Sequence, residues 1–134
     1  MVQVSKIVKW FFIVAGTILA TLLALCVFAF WYMNSGIFGM DSFDKQAWHK
    51  KTTNEQDATC YRGGMAKDII DKLLSSKTTR EDVVSLLGSP DGNSTENSYR
   101  YVLGMCSGFG FDYDSLHIYV DGQGYIFHAK IMQH

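Results

Sequence analysis

Proline occurs once in the 134 residues, at Pro90, and cysteine three times, at Cys26, Cys60 and Cys106. With aromatic residues at 14%, the scarcity of proline excludes a disordered or proline-rich chain. There is no C-x-x-C pair and no Cys/His spacing of a zinc module. No serine stands in a G-x-S-x-G elbow. The glycine-rich stretch Gly104–Gly110 lacks the Lys-Ser/Thr of a phosphate-binding loop. Asp112-Tyr113-Asp114 lacks the glycine and distal glutamate of an EF-hand. Nothing repeats, and no segment is low in complexity. Charge of one sign is also missing, since the formal net charge is -1. Only Lys6 and Lys9 of the twelve cationic residues precede Asn34, so ten follow it, against all thirteen acidic ones. That mildly acidic balance excludes a general nucleic-acid binder.

Charge is absent altogether from Trp10 to Met33. At ~1.5 Å rise per residue the run spans ~36 Å, enough to cross a ~30 Å hydrocarbon core with some tilt. Trp10, Phe11 and Phe12 stand at one end, and Phe30, Trp31 and Tyr32 at the other, as in the aromatic belts of membrane interfaces. A cleaved signal peptide has a shorter core, ~7–15 residues, and ends on small residues, whereas Ala29-Phe30-Trp31-Tyr32 is bulky. A lipidated Cys26 would want Gly or Ala where Leu25 stands, and the chain after it stays apolar. The expectation is an uncleaved anchor over 10–33. Lys6 and Lys9 precede the span and Asp41 and Asp44 follow it, which puts residues 1–9 in the cytoplasm and 34–134 outside. Gly16, Ala20 and Ala24 put small residues on one side of the helix, permitting a weak homodimer, although such residues are common in membrane helices anyway.

The exported part has the size of one domain. Residues 34–61 read as a connector, with a short helix over Asp41–Lys51 that places Phe43, Ala47 and Trp48 on one side, then a polar loop over Lys51–Ala58. Residues 62–134 read as the folded domain. Met65, Ile69, Ile70, Leu73 and Leu74 recur at helical spacing and predict a helix over Gly64–Ser75. A second helix is predicted over Thr79–Leu87, capped by Thr78 or Thr79 with Glu81 or Asp82 completing a capping box, and ended by Gly88 and Pro90. Three strands follow, Ser98–Leu103, Ser115–Val120 and Tyr125–Ile131, the last two joined through Asp121-Gly122-Gln123-Gly124. A symmetric turn sets Val120 opposite Tyr125, Ile118 opposite Phe127 and Leu116 opposite Ala129, all on one apolar face. His117, Tyr119, Ile126, His128 and Lys130 then lie on the other. The fold class is α+β: a transmembrane helix, then two helices on one face of a three-stranded antiparallel sheet.

Cys60 and Cys106 are expected to pair in an oxidising compartment, a crosslink worth ~4 kcal/mol by loop entropy. Two reduced, buried cysteines are the alternative. Cys26 lies within the span.

Thr79-Arg80-Glu81-Asp82-Val83-Val84-Ser85-Leu86-Leu87-Gly88-Ser89-Pro90-Asp91 resembles the "GMTxxxVxxxLGxPD" helix of the SmpA/OmlA (BamE-like) envelope family, with Lys77-Thr78 where the family has Gly-Met. Tyr99-x-Tyr101-x-Leu103-Gly104 and Leu116-x-Ile118-x-Val120-Asp121-x-x-Gly124 are similar to its strands. The resemblance covers Thr78 to the end of the chain. It implies two helices packed on a three-stranded sheet, an architecture shared with β-lactamase-inhibitor-like proteins, and a binding module without catalysis. The family's assembly accessory is an outer-membrane lipoprotein, from which this chain departs in its anchor.

Among chemical candidates, Cys106 is the best thiol, since flanking glycines would expose it, with His117 or His128 as its base. The symmetric register also makes His117 and His128 direct neighbours, two ligands for zinc with Asp112 or Asp114 beside them; the bland reading is two histidines on a solvated face. Both protonating near pH 6 would repel and weaken a partner contact there. Phe109, Phe111 and Tyr113, in the long strand connection, either pack into the core or project as a binding tip. The expectation is a non-catalytic, inner-membrane-anchored periplasmic module with no cofactor and no nucleic-acid partner. Its protein-binding surface is Tyr113, His117, Tyr119, Ile126, His128 and Lys130. An accessory or stabilising factor of an envelope complex is the first reading. An immunity-type inhibitor of a toxin acting in the periplasm is the second, and a small metal or cysteine hydrolase the third.

Overall fold

The structure is a computed structural model describing residues 2–50, 59–92 and 94–133, with side chains from Ser5 onward. The polar loop expected over Lys51–Ala58 lies outside the described residues. The chain divides into two compact units, Met1–Tyr32 and Met33–His134.

The first unit is most of helix α1 (Val2–Asn34). Its segment Ser5–Asn34 is long and apolar enough to cross a membrane. Every side chain from Ser5 to Tyr32 is exposed, so the apolar surface is turned outward all round rather than along a stripe. The hydroxyls of Thr17 and Thr21 donate to the carbonyls of Val14 (2.8 Å) and Thr17 (2.9 Å), so neither polar group needs water.

In the second unit the order is a 3₁₀ turn (Gly36–Gly39), α2 (Lys45–His49), a composite helix, α4 (Arg80–Leu87), and strands β1 (Ser98–Gly104), β2 (Asp114–Val120) and β3 (Ile126–Met132). The composite helix runs through a 3₁₀ turn (Gly63–Met65), a single α turn α3 (Ala66–Asp68) and a π turn (Ile69–Leu73). It stops at Leu74, whose backbone is extended, earlier than the Ser75 of the sequence reading. The Leu74 amide donates to the Ile69 carbonyl (3.1 Å) and closes the wide π turn. Lys72–Asp68 and Lys67–Asp71 pair along its outer side. The Lys72 side chain, then the Phe43 amide, hold the Asp68 carboxyl below its ordinary range. Helix α4 begins on a capping box. The Thr79 hydroxyl accepts from the Asp82 amide (3.2 Å) and the Asp82 carboxylate from the Thr79 amide (2.9 Å), which lowers the Asp82 pKa. It ends at Gly88, whose φ of 85° suits glycine and where a side chain would meet the His49 ring.

The sheet is a meander in the order β1-β2-β3, antiparallel throughout. One face carries Tyr101, Leu103, Leu116, Ile118, Val120 and Ile126, all buried against Met65, Ala66, Ile69, Val83 and Leu87 of the helices. Burial pushes the Tyr101 hydroxyl well above its ordinary range, while that hydroxyl donates to the Gly88 carbonyl (2.9 Å).

Residues 34–50 do more than connect. Trp48 of α2 is 0% exposed, and its indole N–H donates to the Leu87 carbonyl (3.0 Å). Phe38 is buried with it. The Arg62 guanidinium lies 4.9 Å from the Trp48 ring centroid and donates to the Trp48 carbonyl and the Asp91 carboxylate. Asp91 also accepts from the Val102 amide (2.7 Å), which ties the segment after α4 to β1. The sequence places Trp48 with Phe43 and Ala47 on one side of a short helix within a connector. Here Trp48 fills the space between α4 and the sheet.

Candidate functional site

The β2–β3 hairpin does not close in the symmetric register. Asp121 Oδ1 accepts from the amides of Gln123 and Tyr125 (2.9 Å each), and the Asp121 amide donates to the Tyr125 carbonyl (2.9 Å). The turn therefore closes on Asp121 and Tyr125, with Gly124 at φ 89°. Val120 pairs with Ile126, and one further residue, Phe127, is absorbed by a bulge before Tyr119 pairs with His128 and Ile118 with Ala129. The two displacements of one residue add to two. Faces alternate with period two, so His128 and Lys130 keep the face expected of them and only the residues at the bulge exchange. Ile126, expected on the open face, is 5% exposed and belongs to the core. Phe127, expected in the core, is 65% exposed and joins the open face.

This register also separates the two histidines. His117 is opposite Lys130 and Arg100, and His128 is opposite Tyr119, so the histidines are diagonal rather than direct neighbours. Asp114, considered as a further metal ligand, is buried and accepts from the amides of Cys106 and Ser107 and the Ser107 hydroxyl. Among the described residues no three His, Cys, Asp or Glu side chains are grouped for a metal ion. The thiol–imidazole pair does not form either, because Cys106 is joined to Cys60 in a disulfide with its Cα atoms 4.7 Å apart. Gly63 lies against both sulfurs, where a side chain would collide with them.

What the strands do bring together is an aromatic and cationic surface. Tyr119 is central. Its ring stacks with His128 (centroids 5.7 Å apart) and His117 (6.3 Å), meets Phe127 (6.2 Å), and has the Lys130 ammonium 5.5 Å from its centroid. Arg100 extends the row of His117 and Lys130 onto β1 and donates to the Ser115 hydroxyl (3.1 Å). The strand residues of this face are Ser98, Arg100, Val102, Ser115, His117, Tyr119, Phe127, His128, Lys130 and Met132, and none is acidic. Lys130 and His128 are exposed, while His117 and Tyr119 are half-buried. Tyr113, assigned to the same surface, is half-buried in the strand connection.

Two members were missed by sequence reasoning. Arg100 was within reach, since it alternates with Tyr99 and Tyr101 and must face away from the core. Phe127 was not, because a bulge leaves no mark in an apolar run. Compared with protein-family models, curated proteins and solved structures, the chain matches none.

Proposed function

We propose that the chain is a non-catalytic, membrane-anchored protein-binding module. In this reading α1 spans the bilayer with Lys6 and Lys9 on the cytoplasmic side, and the Met33–His134 unit, an SmpA/OmlA-like fold, stands in the periplasm as an accessory factor of an envelope complex. The observation that carries the reading is the open face of the sheet. One face is sealed by helices; the other presents Tyr119 ringed by His117, Phe127, His128 and Lys130, with Arg100 alongside. Aromatic and arginine side chains supply most of the energy of protein contacts, and a face without acids favours an acidic partner surface. The disulfide suits a compartment that keeps cysteines oxidised.

The test is recovery of partners by full-length protein from its native membrane, beside a Tyr119→Ala/His128→Ala variant. A partner retained by the parent and lost by the variant supports the open face as the contact. Equal recovery by both refutes that surface, and recovery of a secreted toxin alone would replace the accessory role with an immunity role.

A further inference from the structure

The connection between β1 and β2 carries a surface that the sheet face does not use. Phe109 and Phe111 are 83% and 87% exposed, more than any ring on α1, and lie side by side with centroids 6.1 Å apart. We propose that this loop is a second membrane contact, its two phenylalanines inserting at the headgroup–acyl boundary of the bilayer. The proposal rests on the reading of α1 as a membrane span.

The base of the loop is fixed. Cys106 is crosslinked to Cys60, and the buried Asp114 carboxylate accepts from the Cys106 amide (2.8 Å), the Ser107 amide (2.6 Å) and the Ser107 hydroxyl (2.7 Å). Gly108 and Gly110, at φ 60° and 68°, turn the chain on either side of Phe109. The rings are thus held outward by a braced base. Both are more exposed than Phe127 of the open face, at 65%, and paired exposed rings on a clamped loop mark a binding site.

Position selects the occupant. The Gly108 amide donates to the Met33 carbonyl (3.3 Å). Met33 is the last residue of the uncharged apolar stretch, Asn34 being the first polar residue after it, so a chain that leaves the bilayer there carries Phe109 within one residue of that bond. Interfacial side chains reach ~5–10 Å into the boundary, a depth open to a ring so placed. Residues 105–113 contain no cation and one acid, Asp112, so the contact is apolar and needs no anionic lipid. The β2–β3 turn lies at the other end of a seven-residue strand, about 20 Å away along the strand. The 121–125 turn is thus a reference position distant from the loop.

Nitroxide labels on the full chain, reconstituted in phosphatidylcholine vesicles, test this. The labels are placed by Phe109→Cys, Phe111→Cys, Leu19→Cys and Gln123→Cys in a Cys26→Ser background. The readout is collision with oxygen, which concentrates in the bilayer, against collision with a water-soluble nickel complex. The expected result is oxygen-dominated collision at 19, 109 and 111, and nickel-dominated collision at 123. A Phe111→Trp variant lacking Trp10 and Trp31, quenched by brominated lipid more strongly than its Phe111 parent, gives the same answer without an added thiol. Nickel-dominated collision at 109 and 111 with oxygen dominance at 19 overturns the inference and leaves the anchor standing. Nickel dominance at 19 overturns both. Shielding of 109 and 111 from both reagents would mean that the rings pack against protein, which overturns the lipid assignment.

Discussion

Replacing Trp48 with alanine measures whether the segment before residue 62 is a tether or part of the fold. The ring is wholly buried, touches Phe43 and Tyr101 with centroids 6.2 and 6.1 Å away, and donates to the Leu87 carbonyl. Removing a buried tryptophan costs ~3–5 kcal/mol through lost transfer energy and the cavity left behind. Within that range, an orphaned Leu87 carbonyl and the loss of the Arg62 stacking push the value toward the upper half. An expected loss of about 4 kcal/mol is a large share of the ~5–15 kcal/mol that stabilises a domain. With a urea slope near ~1.5 kcal/mol/M, the midpoint falls by ~2–3 M. The assay is urea unfolding of the full-length protein in detergent micelles, followed by ellipticity. Trp48→Phe is the companion variant: it keeps a ring, loses the indole donor, and is expected to cost about 1–2 kcal/mol. A Trp48→Ala midpoint within ~0.5 M of the parent would refute the reasoning and return residues 34–61 to the role of connector.

Reducing the Cys60–Cys106 disulfide opens a loop of 46 residues and is expected to lower stability by ~4 kcal/mol; unfolding with and without reductant measures it, and an unchanged midpoint contradicts it. Acid has a defined sign. Asp68, through Lys72 and the Phe43 amide, and Asp82, through Thr79, have folded pKa values below their unfolded ones, so their contribution is complete above about pH 4–5 and is lost as pH falls through the folded values. Melting temperature between pH 6 and 2.5 should fall less steeply in Asp68→Asn and Asp82→Asn than in the parent. At the alkaline end the sign reverses. Tyr101, raised chiefly by burial, stabilises fully below its unfolded pKa of ~10, and that contribution is lost as pH rises further. Tyr101→Phe should cost about 1 kcal/mol at pH 7 through the lost bond to Gly88 and lose less between pH 9 and 11 than the parent.

The elements written in local chemistry were legible. The 2.0 and 3.6 periodicities locate three strands and the two helical segments of the core, and the Thr79–Asp82 box and Gly88 delimit α4 as the residue types require. Long-range packing was less legible. Trp48 becomes core only because α4 and Arg62 lie over it, and Phe38 because its 3₁₀ turn packs against the composite helix. The wide turn at Ile69–Leu73 shortens the composite helix without altering its apolar spacing. The candidate site shows the same division. Parity along β3 puts His128 and Lys130 outward in either register, so those two residues survive a displacement of two. The identity of neighbours does not: the Asp121 side chain closes the turn and the Phe127 bulge adds a residue, which breaks the direct His117–His128 pair and exchanges Ile126 for Phe127.

The central claim, that the open sheet face is where a partner binds, is tested most directly by site-specific photocrosslinking in the native membrane. A photoreactive amino acid replaces His128 on the open face or, in a second variant, Glu81 on the exposed side of α4. The account predicts one discrete protein adduct from position 128, absent from position 81 and abolished by Tyr119→Ala. An adduct from position 81 with none from position 128 would contradict it and move the contact to the helical side.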